Sequence, residues 1–389
     1  GYRNRLRRQV EMVDGIRVVR VWTYLAANSG MVRRIANYLS FMLSATIACL
    51  RLPRPDVVVA TSPQFFCGWA GVLVSWLKWR PFVLEIRDIW PESISAVGAM
   101  RKGIVIRFLE WLERRMYRAA DHIVAVGRGY ADNIAGKVDV GDRISVVMNG
   151  VDLQQFQPQE CDDKFLTEYG LTGKFVCSYI GTIGMAHGLE VVVEAALLLK
   201  GQGRDDVRFC LVGDGARRES IHQLARDKGV EELVVFTGRQ PKERMPAILA
   251  SSGACLIHLR GCELFGTVIP SKIFETMAMG RPIIMGVQGE ARDLVEAAGA
   301  GLVMQPDSAE SLVDCVDQLI EDPELRGRLQ TRGRDFVREN YNRDELAAEM
   351  LATLQQVAGD ETRTGAEQVA ADGNRSQSRH DEVLEASQP

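Results

Sequence analysis

Glu263-Leu-Phe-Gly-Thr-Val-Ile-Pro-Ser-Lys-Ile-Phe-Glu-Thr-Met-Ala-Met-Gly-Arg-Pro-Ile-Ile-Met-Gly286 reads as a loop, a short helix and a buried strand. Pro270 and Ser271 suit the N-cap and first turn of the helix. Gly280 suits its C-terminal end, with Pro282 directly after it. Lys272 and Glu275 stand three residues apart and so share one face. A helix N-terminus with unpaired N–H groups beside a lysine is an anion site. A carboxylate one turn later can accept hydrogen bonds from a sugar diol. Together these features describe a seat for a phosphorylated ribose.

The same alternation of helix and strand runs outward in both directions. Upstream, apolar strand-like runs occur at 175–180, 207–212, 234–237 and 254–258, with a further one downstream at 301–304. An earlier series lies at 16–22, 56–61, 82–87, 122–126 and 144–148, with helix-like runs at 31–50, 65–78, 102–118 and 129–134 between them. Alternation of this kind implies parallel sheets with helices on both faces. The turn-rich stretch 149–158 separates the two series. We therefore expect two tandem α/β domains, 1–157 and 158–340, with a cleft between the carboxyl ends of their strands. A pair of helices is expected over 325–357, the last of them as a C-terminal helix at 341–358. Residues 359–389 are rich in Ser, Gln, Asp, Glu and Gly, so they are expected to form a disordered tail.

Length agrees with two cores, since 389 residues exceed what one core usually holds. A net charge of −4 with 46% hydrophobic residues leaves no nucleic-acid footprint. The charge is uneven, however. Residues 1–55 carry arginines 3, 5, 7, 8, 17, 20, 33, 34, 51 and 54, opposed only by Glu11 and Asp14. That excess suits an anionic partner such as a membrane surface. Two apolar segments, 38–50 and 65–77, are flanked by basic residues, but both fall short of the roughly 20 residues a spanning helix needs. They read either as helices buried on the first sheet or as helices whose outer faces, with Trp76 and Trp79, enter a membrane interface. The eight cysteines are scattered without a C-x-x-C, which argues for free thiols in a reducing compartment and against structural zinc. The chain opens at Gly1-Tyr2-Arg3 in a polar stretch, and we expect that a first strand and a glycine-rich loop precede it.

Five motifs in order carry a family resemblance: Tyr179-Ile-Gly-Thr-Ile-Gly-Met-Ala-His-Gly188, Phe209-Cys-Leu-Val-Gly-Asp-Gly215, Val235-Phe-Thr-Gly-Arg239, Pro270 through Pro282, and Arg87-Asp-Ile-Trp-Pro-Glu-Ser93. With them, nearly the whole chain except the tail resembles the retaining glycosyltransferases of family 4, the group 1 glycosyltransferases. Within these it looks most like the bacterial branch that builds O-antigen, capsule and exopolysaccharide, including the L-fucosamine transferase type. The resemblance implies a GT-B fold of two Rossmann-like domains, with the donor on the second and the acceptor on the first. It implies retention at the anomeric carbon, and no cofactor or metal beyond the nucleotide sugar; the sequence holds no D-x-D pair. UDP is the expected nucleotide, with an N-acetylated hexosamine or its 6-deoxy form as the sugar. The implied acceptor is a polyprenyl-linked saccharide at the inner face of the cytoplasmic membrane, with the protein peripheral to it.

The resemblance also assigns roles. Glu275 matches the ribose-binding glutamate, where charge-assisted bonds contribute about 1.5–3 kcal/mol. Lys272 and the N–H groups at Ser271 should meet the diphosphate, Gly181 and Gly184 should let the backbone approach the leaving phosphate, and Arg239 should line the nucleotide. His187 stands where relatives carry a phosphate-binding lysine; as a neutral imidazole it donates one hydrogen bond. Relatives place a second glutamate eight residues before the ribose-binding one. Here that position is Thr267, and Glu263 is the nearest replacement. Asp88, at a strand end, can orient the acceptor hydroxyl or take its proton. For each of these a plain role exists beside it: a turn glycine, a solvated charge, a helix cap. Three other functions stay open on the residues alone. A nucleotide-sugar epimerase of the same fold would want more acid and base groups near Arg87–Glu92. A dinucleotide oxidoreductase would want the G-x-G-x-x-G spacing that both glycine turns lack. A non-catalytic, membrane-attached scaffold would tolerate the departures at Thr267 and His187.

Overall fold

A computed structural model describes residues 9–25, 31–92, 103–261 and 263–359. The described residues form two compact units, one running to Met148 and taking in the last helix from Glu349 on, the other spanning Asn149–Ala348. The residues expected to form a tail lie, from 360 on, outside the described residues, as do Ser93 and the first eight residues.

The first unit opens with an antiparallel hairpin, β1 (Gln9–Val13) on β2 (Ile16–Arg20). This departs from the expectation that 16–22 belongs to the main sheet. Asp14 and Gly15 both adopt positive φ, 48° and 80°, which is the backbone a two-residue hairpin turn demands. The Asp-Gly pair between alternating polar and apolar residues therefore outweighs the apolar run. The main sheet is fully parallel, β3 (Val58–Thr61), β4 (Phe82–Ile86), β5 (His122–Ala125) and β6 (Ile144–Val146), paired in chain order. Helices α1 (Met31–Leu50), α2 (Phe65–Lys78), α3 (Ile104–Ala119) and α4 (Arg128–Lys137) connect these elements. β4 and β5 are almost wholly buried, as strands covered on both faces must be.

Helix α2 resolves the two readings of its segment in part. Phe65, Ala70 and Val74 face the core, whereas Trp76 and Trp79 are 72% and 83% exposed at its end. Its basic rim is not a rim: Lys78 is buried and donates to the carbonyls of Leu52 and Pro53. Arg54 in turn donates twice to the carbonyl of Lys78, at 2.9 and 2.7 Å. No helix among the described residues is long and apolar enough to cross a membrane.

The second unit holds a six-stranded parallel sheet in the order β12-β11-β10-β7-β8-β9. Its strands are β7 (Phe175–Ile180), β8 (Val207–Val212), β9 (Val234–Gly238), β10 (Ala254–His258), β11 (Ile283–Gly286) and β12 (Gly301–Val303). Between them run α5 (Asp163–Glu168, preceding β7), α6 (Glu190–Gly201), α7 (Arg218–Asp227), α8 (Met245–Ala250), α9 (Lys272–Ala278) and α10 (Glu290–Ala297). α11 (Ala309–Glu321), α12 (Pro323–Asn340) and α13 (Arg343–Ala358) follow. Burial is two-sided: α6 and α11 pack together over Tyr179, Phe209 and Leu211 on one face, while Phe165 and Ile248 cover Val176, Cys210 and Val212 on the other. Helix α12 begins at Pro323, with the Asp322 carboxylate accepting from the Leu325 N–H at 2.7 Å. The chain moves one way from β7 to β9 and the other way from β10 to β12. The reversal falls between β7 and β10, and such a switch point opens a crevice at the carboxyl ends of its two strands.

Candidate functional site

The switch point gathers the second unit's chemistry. β7 is followed by Gly181, with φ +146°, and β8 by Gly213, with φ +144°. The Gly181 N–H bonds the Val212 carbonyl at 2.9 Å, and a Cβ on Gly213 would collide with the Gly181 carbonyl oxygen. The two turns therefore stack at a spacing only glycine permits. Gly213→Ala should cost about 2–4 kcal/mol, from overpacking plus a strained φ. Chemical denaturation reads that loss.

Beyond Gly181 the chain turns at Gly184 into one 3₁₀ turn, Met185–His187. The Gly184 N–H donates to Nδ1 of His187 at 3.2 Å, which places the ring proton on Nε2. Burial, and next the charge of Lys272, lower the His187 pKa to about 4. The ring is thus neutral at physiological pH and presents one N–H. Buried His258 supports the turn, its Nδ1 donating to the His187 carbonyl at 2.7 Å while its Nε2 accepts from the Asp307 N–H. Burial lowers the His258 pKa as well. Both histidines take up a proton more readily unfolded than folded, so the stability they contribute is lost as pH falls below about 6.5. For His187 the unfolding free energy should drop by about 1 kcal/mol between pH 6.5 and 5.5, and His187→Asn should remove that share. Denaturant titration at the two pH values checks this.

Lys272 opens α9, and its Nζ lies 3.8 Å from the centroid of the Tyr179 ring, a cation–π contact. A Cβ on Gly181 would lie 3.0 Å from that Nζ, so the bare backbone at 181 is what admits the ammonium. The edge of the His187 ring meets the same tyrosine, with centroids 5.8 Å apart. Tyr179 is buried, and its hydroxyl donates to the Thr182 carbonyl at 2.7 Å. Burial lowers the Lys272 pKa to about 7, against the opposing pull of Glu275. One turn on, burial raises the Glu275 carboxyl above its usual range, opposed first by Arg343, then by Lys272 and Lys242. Lys272 and Glu275 line one pocket, whose apolar walls include Ile180, Met245 and Leu249. Cation, carboxylate and apolar wall are what a diphosphate, a ribose and a base require respectively.

The remaining expected site residues fall in different places. Ser271 is exposed and makes no side-chain cap; its own φ and ψ are already helical, at −58° and −23°. The Ile273 N–H bonds the Pro270 carbonyl at 3.0 Å, so the free backbone donors of this turn are fewer than the sequence implies. Arg239 is exposed beyond Gly238 and does not line the pocket. Thr267 is half-buried on the 3₁₀ turn Glu263–Thr267; the side chain of Glu263 lies outside the described residues. Asp88 belongs to the first unit, two residues past β4 at the carboxyl edge of that sheet, and its carbonyl accepts from Ser62 Oγ at 3.4 Å. Glu92 in the same loop is held by Lys137 at 2.8 Å and by Asn133 at 3.2 Å. Sequence reading missed Tyr179, Arg343 and Lys242. Tyr179 stood in plain view two residues before Gly181, masked by its place in an apolar strand.

Residues 1–150 match the family model described as a glycosyl transferase 4-like domain, and residues 164–336 match that of glycosyl transferases group 1. The chain is 26% identical over 294 residues to the "Probable glycosyltransferase WbjE" of Pseudomonas aeruginosa, covering 74% of this chain and 72% of that protein. It is 24% identical over 338 residues to the 2-deoxystreptamine glucosyltransferase of Streptomyces kanamyceticus, covering 83% and 84%. Among solved structures, Anabaena Alr3699/HepE in complex with UDP and glucose aligns with a TM-score of 0.69 at 19% identity, over 86% of this chain and 85% of that one. Sucrose-phosphate synthase from Thermosynechococcus elongatus aligns with a TM-score of 0.73 at 16% identity, over 90% and 86%. The fold is that of the GT-B glycosyltransferases, and the two parts of the chain match the models of the glycosyl transferase 4-like and the group 1 glycosyl transferase families.

Proposed function

We propose that this glycosyltransferase moves a sugar from a UDP-sugar to a lipid-linked saccharide, with retention at the anomeric carbon and without a required metal ion. The observation that carries the reading is the pairing of Lys272 with Glu275 in one pocket at the switch point of the second sheet. Glu275 accepts from the ribose hydroxyls, while Ile180, Met245 and Leu249 enclose the nucleoside. Lys272 and the Nε2–H of His187 face the diphosphate, Gly181 and Gly184 leave it room beside a backbone without side chains, and Ser271 and Arg239 stand at its outer edge. Thr267 and Glu263 border the sugar. The leaving phosphate oxygen takes the proton of the attacking hydroxyl on the same face, and Lys272 stabilises the charge that develops there. Asp88 orients the acceptor hydroxyl. HepE was solved with UDP and glucose, which agrees with a UDP-linked donor. We take the sugar to be an N-acetylhexosamine or a 6-deoxy derivative, in the manner of the fucosamine transferases, and the site of action to be the inner face of the cytoplasmic membrane.

The Lys272 environment gives this reading a proton signature. Above pH 7 the free amine is largely neutral, and a bound diphosphate favours the ammonium and raises its pKa. UDP binding at pH 8 should therefore take up as much as one proton, seen as a buffer-dependent calorimetric enthalpy. Function itself is tested by UDP release from a UDP-sugar panel with lipid extracts and EDTA, with the product anomer assigned by NMR. Turnover with a retained anomer supports the reading. UDP binding without turnover on any donor would favour the non-catalytic scaffold instead.

A further inference from the structure

Helix α3 is amphipathic in an unusual sense: its outer face is apolar as well as basic. Ile106, Glu113, Met116 and Tyr117 point inward and are buried. On the opposite side Ile104, Phe108, Trp111 and Arg115, spaced four, three and four, form a single stripe. Ile104 is 86% exposed, Phe108 56% and Trp111 47%. Arg107, Arg114 and Arg118 run along one flank of that stripe and are exposed. A soluble helix surface places polar groups where these three apolar side chains stand. The rings are also organised. Phe108 and Trp111 stack with centroids 5.9 Å apart, and the Arg115 guanidinium lies 4.9 Å from the Trp111 centroid. Among the described residues the only carboxylate near these cations is Glu110, 3.9 Å from Arg114; Arg107 and Arg118 have no acidic partner.

From this we infer that α3 docks the chain on an anionic lipid bilayer, with Ile104, Phe108 and Trp111 entering the headgroup–acyl boundary and Arg107, Arg115 and Arg118 pairing with lipid phosphates. The combination fits that surface and little else: a bare apolar stripe seeks any apolar cover, but a stripe edged by unpaired arginines seeks one whose rim is anionic. The basic groups flanking α2 do not offer the same match, because Lys78 and Arg54 are already bonded to carbonyls within the protein. The inference deepens the proposed action at a membrane by naming the surface that meets it, and it rests on that reading for the biological membrane alone.

The test is co-sedimentation of the full chain with phosphatidylcholine vesicles containing 30% phosphatidylglycerol, and with pure phosphatidylcholine vesicles. Native protein should partition to the anionic vesicles and far more weakly to the neutral ones. Phe108→Ser with Trp111→Ser, and separately Arg107→Glu with Arg118→Glu, should each weaken partitioning about tenfold or more. Trp76→Ser with Trp79→Ser should change it less than about threefold. UDP-induced thermal stabilisation should be unchanged in all three variants, which certifies that they fold. The inference is overturned if native protein ignores anionic vesicles, if the α3 variants bind as native does, or if the α2 variant alone loses binding. It is also overturned if native protein is a dimer that the Phe108/Trp111 variant converts to monomer, since the stripe would then be covered by a second copy. If vesicle binding behaves as stated while UDP gives no stabilisation, the docking surface stands and the UDP-sugar reading fails.

Discussion

Lys272→Met should lower turnover about 100- to 1000-fold while changing the dissociation constant for UDP-sugar no more than about threefold. Loss of one preorganised group that stabilises developing charge typically costs this much in kcat. In the proposed mechanism the Nε2–H of His187 serves the ground-state diphosphate, whereas the ammonium over Tyr179 matters most as the sugar–phosphate bond breaks. Steady-state kinetics beside direct binding separates the two effects, and a fall confined to affinity would refute the catalytic role. Stability supplies a control with a defined sign. The folded-state pKa of Lys272 lies near 7 against 10.5 for an ordinary lysine. The unfolded chain therefore holds the proton more tightly, and the ammonium penalises folding most fully below pH 7 and least above about pH 10.5. Lys272→Met should accordingly melt higher than native protein at pH 6, and this advantage should shrink at pH 9. A variant that melts lower at pH 6 would mean that the lysine serves the fold.

Glu275→Ala should abolish stabilisation by UDP. Ligand at about 100 times its dissociation constant adds roughly 2.7 kcal/mol to a protein that binds it only when folded. For a unit of this size that is a rise in melting temperature of roughly 5–10 °C. Glu275 donates nothing to the ligand-free fold that alanine would sorely miss, since burial already raises its carboxyl pKa. Glu275→Gln retains shape and one acceptor but loses the charge that strengthens both ribose bonds. Its affinity should fall about 10- to 100-fold, which corresponds to charge-assisted bonds of about 1.5–3 kcal/mol. If either variant responds to UDP as native protein does, the ribose is held elsewhere.

Much of the second unit was legible before its structure. Strands 175–180, 207–212 and 254–258 appear with the bounds their apolar runs suggested, because a sheet covered on both faces selects mostly apolar residues, broken here only by Ser178, Arg208 and His258. The first unit was harder. The hairpin at 9–20 is exposed along much of its length, and there the Asp14-Gly15 turn decides pairing with no core to mark which face is inside. At the site, Lys272 and Glu275 were readable because both sit on one short helix and their spacing alone aligns them. Tyr179, Arg343 and Lys242 were not, since each acts on Lys272 or Glu275 from a different element, far away in the chain. Ser271 shows a second limit. Its residue type suits a cap, but its backbone has already entered the helix, which moves the hydroxyl out of reach of the N–H groups it would bond. The outer face of α3 was legible in spacing, yet exposure is what distinguishes an apolar stripe facing solvent from one facing a core.

The most direct test of the central claim is thermal unfolding of the native chain with UDP, GDP, ADP and NAD in turn, with EDTA present. The proposed UDP-sugar donor predicts a rise of roughly 5–10 °C with UDP at saturation and little with the others. Stabilisation by NAD, or by none of the four, would contradict the assignment of this pocket to a nucleotide-sugar donor.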